Sequence, residues 1–170
     1  MNKLREFLKK NWVNNLLWVL VIAVVFFGVR AWQQQAMPKG LAPEISGVAV
    51  SGETVGLSQY RGRPVMLYFW ATWCKICEIE QGSIRSIAKD HSILSVALRS
   101  GNALQVSRYL REHQLEMPTL PDEFGEIAER FGVRGTPTAF FIDARGQIRS
   151  VEVGYTSEVG MRIRLWLAGL

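Results

Sequence analysis

A short apolar run, Val65-Met66-Leu67-Tyr68-Phe69-Trp70, leads four residues later into Cys74-Lys75-Ile76-Cys77, which holds the only two cysteines in the chain. A brief continuous run of this kind reads as a strand buried on both faces in the middle of a sheet. The residues from Lys75 to Lys89 then carry a helical pattern. Strand, Cys-x-x-Cys and helix in that order are the context in which this motif reads as redox-active. The pair is poorly placed as a structural staple. A cross-link gains most by closing a long loop in the unfolded chain, and this one spans a single helical turn.

The surrounding pattern predicts a mixed α/β sheet covered by helices. Val48-Ala49-Val50, Ser51-Gly52-Glu53 and Thr54-Val55-Gly56-Leu57 read as a small hairpin. Ser92 to Leu98 is a second buried strand, and Ala103 to His113 a helix with Leu104, Val106, Tyr109 and Leu110 facing inward. A short helix covers Phe124 to Phe131. Gly135-Thr136-Pro137-Thr138 leads into a third strand, Ala139 to Ile142. The turn Asp143-Ala144-Arg145-Gly146 connects it to a fourth, Gln147 to Val153, as a hairpin. Residues 157–169 close the chain as a helix.

Residues ahead of this domain have a different character. Leu16 to Val29 is unbroken apolar sequence, and Trp12 to Trp32 spans 21 residues with a tryptophan at each end. About 20 apolar residues cross a bilayer core, and tryptophans suit its two interfaces. Lys3, Arg5, Lys9 and Lys10 against Glu6 leave a surplus of three positive charges before the run, so the N-terminus is expected to stay cytoplasmic. The expected division is a cytoplasmic N-terminus over 1–11, a transmembrane anchor over 12–32, a linker over 33–43 and an exported domain over 44–170. A cleaved signal peptide is the competing reading, but a good small-x-small cleavage site is missing. Either way the cysteines lie where disulfides persist. Of the formal charge of +5, the N-terminal cluster and Arg30 supply four, since residues 31–170 hold fifteen basic and fourteen acidic side chains. That balance does not suit nucleic-acid binding, which needs a clustered basic face.

Cys74 falls at or just before the start of the Lys75–Lys89 helix. There the unpaired N–H groups and the helix dipole favour an anion, and Lys75 adds a positive charge. Both influences favour a thiolate, the attacking species. Cys74 is therefore the expected nucleophile and Cys77, one turn further in, the resolving thiol. At about 100° per residue, Ile76, Ile87, Glu80 and Ile84 fall at roughly 0°, 20°, 40° and 80° around the helix. Glu80 thus sits on the apolar face, where burial raises a carboxyl pKa and suits it to exchange a proton with Cys77. Glu78 points to solvent. A zinc site would need two more ligands, and His91 and His113 fit no compact zinc spacing. A c-type haem site needs His after the second cysteine, where Glu78 stands. No metal or other cofactor is expected. A Cu(I)-binding dithiol is a rival from another class. On local sequence alone the Thr136–Pro137 bond is expected to be trans.

Phe69 to Cys77 resembles the thioredoxin active-site segment, and Gly135-Thr136-Pro137-Thr138 its proline loop; the likeness covers residues 44–169. It implies a thioredoxin-like fold, a mixed central sheet flanked by helices, here behind an N-terminal transmembrane helix. It further implies a cis Pro137 and a substrate-facing surface at Trp73, Thr136 and Pro137. The anchor, the added hairpin and Glu80 are similar to the membrane-anchored TlpA/ResA/DsbE group. Cytoplasmic thioredoxins carry a buried Asp where this chain has Tyr68, so the acid–base role passes to Glu80. Ser95 to Gly101 is similar to the copper-sensitivity suppressors of that group. Lys75-Ile76 departs from the usual residues between the cysteines and leaves the redox direction open. The group implies a single-pass inner-membrane protein that reduces disulfides of periplasmic proteins, in copper or oxidative-stress tolerance or on apocytochrome c. It also implies recharging by a membrane thiol transporter of the DsbD/CcdA kind.

Overall fold

The computed structural model describes residue 12 and residues 14–25, 28–29 and 37–170. The chain divides into two units, residues 1–35 and 36–170. In the first, residues 14–25 are helical and almost all exposed, and from Leu16 onward they are apolar. Among the described residues no helix is long and apolar enough to cross a membrane. The expected cytoplasmic segment 1–11, several positions of the 12–32 anchor and linker residues 33–36 lie outside the described residues.

The second unit has a thioredoxin-like α/β fold. Its strands are β1 (Gly40–Leu41), β2 (Ser46–Val48), β3 (Thr54–Gly56), β4 (Val65–Trp70), β5 (Ser92–Leu98), β6 (Thr119–Asp122), β7 (Thr138–Ile142) and β8 (Gln147–Val153). Its helices are α1 (Lys75–Ala88), α2 (Ala103–Glu112), α3 (Glu126–Arg130) and α4 (Glu158–Ala168), with a 3-10 turn over Leu57–Tyr60. Six strands form one mixed sheet in the order β1-β8-β7-β4-β5-β6, and β2 pairs with β3 as a separate hairpin. β4 runs parallel to β5 and antiparallel to β7, so it is central, and all six of its residues are buried.

Alternation along β4 divides the core in two. Val65, Leu67 and Phe69 join Phe131, Phe140 and Leu120 on one face. Phe69, Phe131 and Phe140 meet there with ring centroids 5.2–5.7 Å apart. Met66, Tyr68 and Trp70 face the other way, towards Ile84 and Ile87 of α1, Val106 and Leu110 of α2, and Met161 and Leu165 of α4.

Strand register decides where the loops gather. Trp70 pairs with Ala97, Phe69 with Thr138, and Thr138 with Val153. The C-terminal ends of β4, β5 and β8 and the N-terminal end of β7 therefore lie along one edge of the sheet. Residues 71–74, 99–102, 135–137 and 154–157 all leave from that edge.

Several local expectations need correction. β6, over Thr119–Asp122, is an additional strand to which the sequence reading assigns no element. It is an edge strand, where a proline's missing N–H costs little. Part of the expected linker is structured, since Gly40 and Leu41 pair with Ile148 and Gln147. The hairpin's first strand is Ser46–Val48 rather than 48–50. Leu104 is 66% exposed, so the inward face of α2 is Val106 and Leu110.

Candidate active site

Cys74 is the N-cap of α1, with extended backbone, and its Sγ accepts a 3.1 Å hydrogen bond from the Cys77 N–H. The sulfur thus occupies the place where a capping oxygen ordinarily satisfies an orphan amide. A disulfide joins it to Cys77, with the two Cα atoms 5.3 Å apart. Both sulfur residues are buried, Cys77 more deeply than Cys74. The charge expected from Lys75 is largely spent elsewhere. Its ammonium donates to Glu78 Oε2 at 3.0 Å on a side chain that is 89% exposed.

Glu80 is 1% exposed, on the face of α1 that also buries Ile84 and Ile87. Ile76, expected on that face, is instead 44% exposed. The Glu80 carboxyl meets two donors. Thr156 N–H reaches Oε1 at 2.5 Å and the Tyr68 hydroxyl reaches Oε2 at 3.0 Å. Burial pushes the Glu80 pKa above the ordinary carboxylate value, and the Thr156 and Tyr68 hydrogen bonds oppose that rise. The Tyr68 hydroxyl is itself held well above its usual pKa, by burial first and by the Glu80 carboxylate second.

Trp73 is 61% exposed and donates its indole N–H to Arg99 O at 3.1 Å. Beside it, Thr72 N–H donates to Ser100 Oγ at 3.0 Å, and that hydroxyl donates to Leu98 O at 3.0 Å. Arg99 has φ of 45°, a left-handed conformation rarely adopted by a side chain of its size. The loop after β5 therefore clasps the segment that precedes the cysteines.

Thr136–Pro137 is a cis peptide, as the family resemblance implies and local sequence alone does not. Pro137 O accepts from Gly154 N–H at 2.8 Å, which joins this loop to the one that supplies Thr156. The Thr136 hydroxyl is buried with no hydrogen-bond partner among the described residues. Trp73, Ile76 and Ile79, the last 70% exposed, give the surface around the cysteines an apolar character.

The structure thus brings Cys74, Cys77 and Glu80 together on the first two turns of α1. The register places the Trp73 and Thr136–Pro137 loops at the same sheet edge. Tyr68, Thr156 and Ser100 were not foreseen as site residues. Tyr68 did carry a signal, a hydroxyl within an otherwise apolar strand, which needs a partner when buried. His113 is engaged otherwise, with Nδ1 3.1 Å from Gln81 Oε1 and its ring stacked on Tyr109. Among the described residues no three His, Cys, Asp or Glu side chains gather to hold a metal ion.

Comparison with known proteins agrees with this geometry. The AhpC/TSA family model matches residues 38–151. A thioredoxin-like protein from Haemophilus influenzae is 32% identical over 167 residues, covering 98% of this chain and 97% of that protein. The thiol-disulfide oxidoreductase ResA of Oceanobacillus iheyensis is 31% identical over 154 residues, covering 83% of this chain and 79% of ResA. Among solved structures, a candidate thiol:disulfide interchange protein DsbE from Chlorobium tepidum superposes with a TM-score of 0.69 at 26% identity. That match covers 78% of this chain and 98% of the other.

Proposed function

The chain belongs to the AhpC/TSA family and is a thiol–disulfide oxidoreductase of the ResA/DsbE type, and from that premise we propose that it is a membrane-anchored reductase of disulfides in periplasmic proteins. The observation that carries the chemistry is the pairing of an N-cap cysteine with a deeper cysteine one turn away, beside a buried carboxyl. In the reduced enzyme the Cys74 thiolate attacks one sulfur of a partner disulfide. A mixed disulfide forms and the partner's other sulfur leaves as a thiolate. Cys77 gives its proton to Glu80 and attacks the Cys74 sulfur, which releases the partner's second thiolate and forms the Cys74–Cys77 disulfide. Two electrons pass from the enzyme dithiol to the partner. Trp73, Thr136 and Pro137 present the surface on which an extended segment of the partner lies.

The apolar run flanked by tryptophans, with basic residues ahead of it, supports single-pass anchoring in the inner membrane with the catalytic domain outside. In such a compartment the spent disulfide needs an electron source, a membrane thiol transporter of the DsbD/CcdA kind. The likeness of Ser95 to Gly101 to the copper-sensitivity suppressor protein ScsD favours a substrate in copper or oxidative-stress tolerance. Reduction of apocytochrome c before haem attachment is the alternative substrate assignment, and Cu(I) binding by the dithiol the alternative class.

The test is substrate trapping with Cys77→Ser in intact cells. The expected result is an exported protein disulfide-linked to Cys74, and its identity selects between copper tolerance and cytochrome maturation. Stoichiometric Cu(I) binding by the purified chain, with no mixed disulfide and no insulin reduction, overturns the reductase reading.

A further inference from the structure

Two side chains of β4 carry a polar group that needs a partner when buried: the Trp70 indole N–H, which donates to Ser95 Oγ at 3.3 Å, and the Tyr68 hydroxyl. Tyr68 stands among Met66, Leu67, Phe69 and Trp70 and is 2% exposed. A buried hydroxyl without a hydrogen bond is costly, and phenylalanine would fill nearly the same volume without that cost. The Tyr68 hydroxyl donates to Glu80 Oε2 at 3.0 Å. The cavity beside it is lined by Cys77, Ile84, Met117 and Gln81, and the Gln81 amide is engaged by Tyr109 and His113. The hydroxyl is therefore accounted for by Glu80.

We propose that Tyr68 is the positioning residue of the proton-transfer site, holding the Glu80 carboxyl in place for Cys77 and serving it in both protonation states. This rests on the acid–base role proposed above for Glu80. The two donors at Glu80 differ in kind. Thr156 offers a backbone N–H, which can only donate, to Oε1. Tyr68 offers a hydroxyl, which donates to the carboxylate and can turn to accept from the carboxylic acid. The proton taken from Cys77 accordingly belongs on Oε2. The S–H bond of Cys77 breaks, an O–H bond forms at Glu80 Oε2, and Tyr68 changes from donor to acceptor without ionising.

The surroundings leave Tyr68 few rivals. From α1 the titratable neighbour is Cys77, three residues back, where side chains on a helix adjoin. Glu78 and Lys75 pair with each other on the exposed side of α1. On the α4 side, Arg162 pairs with Glu158 and Asp90, and Arg164 pairs with Glu152 of β8. On α2, Tyr109 accepts from Gln81. Burial is the largest influence on the Glu80 carboxyl, and the opposing influences are the Thr156 and Tyr68 hydrogen bonds, with no charged side chain among them.

The experiment follows the two thiolate releases when the reduced full-length protein meets an aromatic disulfide such as DTNB. The first release reports Cys74 attack and the second reports resolution by Cys77. In wild type the second rate rises with pH as Glu80 ionises. Tyr68→Phe removes a donor from the ionised form, so its midpoint is expected to move up by about one pH unit. Replacing Tyr68 with 3-fluorotyrosine, a stronger donor of the same shape, is expected to move it down; this variant serves if Tyr68→Phe folds poorly. The Glu80 carboxylate band in infrared titration of the oxidised protein is expected to follow both shifts. Unmoved midpoints in the Tyr68 variants, alongside a Glu80→Gln profile that loses its ionisation, overturn the inference and leave Glu80's role standing. A Glu80→Gln profile identical to wild type overturns that role instead, and the inference with it.

Discussion

Removing the Ser100 hydroxyl tests whether the loop after β5 holds the cysteine segment in place. Ser100 is buried, and its Oγ both accepts from Thr72 N–H and donates to Leu98 O, each at 3.0 Å. Ser100→Ala leaves the Thr72 amide without its acceptor and frees one bond at Leu98 O. Thr72 is only half-buried, so water recovers part of the loss, and the expected cost is about 1–2 kcal/mol. For a chain of this size that corresponds to a fall of roughly 2–8 °C in Tm. Trp73→Phe removes the exposed bond to Arg99 O and is expected to cost under about 1 kcal/mol. Both bonds tie the same two loops, so the double variant should depart from additivity by about 0.5 kcal/mol or more. Urea melts of the oxidised proteins measure the stabilities, and insulin reduction measures the activity, expected to drop several-fold in Ser100→Ala. A Ser100→Ala protein within about 0.3 kcal/mol of wild type, or a strictly additive double variant, would refute the clasp.

Glu80 makes the stability of the fold fall as pH rises. Its pKa is raised on folding, so the folded chain binds this proton more tightly. The contribution is complete below the ordinary carboxyl range and is lost as pH climbs through the folded midpoint. Urea melts from pH 4 upward are expected to show Glu80→Gln lacking that decline. Asp122 is buried at the end of β6 and accepts from Ile127 N–H at 3.1 Å and Ala128 N–H at 2.9 Å. Asp122→Ala is expected to destabilise the unit by about 1–3 kcal/mol, read as a lower urea midpoint. For the proposed anchor, full-length protein is expected to remain with membranes after alkaline carbonate extraction, and protein lacking residues 12–32 to be soluble. A soluble full-length protein contradicts the anchor.

What could be read in advance follows the range of the interactions involved. β4, β5 and α1 were legible because a continuous apolar run and a 3.6-residue repeat are local patterns. Glu80 was legible because Ile84 and Ile87 mark the buried face it shares, although Ile76, expected on the same face, is exposed. The identity of its partners was not, because Tyr68 and Thr156 are 12 and 76 residues away in sequence. A tyrosine inside an apolar run looks like core until its hydroxyl has somewhere to go. β6 was not legible because it is four residues long, contains Pro121 and is defined by its pairing with β5 at the sheet edge. Ser100 could not be distinguished from any loop serine, since its function depends on the register that brings β5 beside β4. The cis bond at Pro137 was available only through family resemblance.

The most direct measurement of the proposed division of labour between the cysteines uses a purified reduced protein and a peptide containing one disulfide, with products resolved by mass spectrometry. Wild type should reduce the peptide and finish as the Cys74–Cys77 disulfide. Cys77→Ser should stop as a peptide adduct on Cys74, and Cys74→Ser should form no adduct at a comparable rate. Peptide reduction by Cys74→Ser, or an adduct that forms first on Cys77, would contradict the assignment of Cys74 as the attacking thiol.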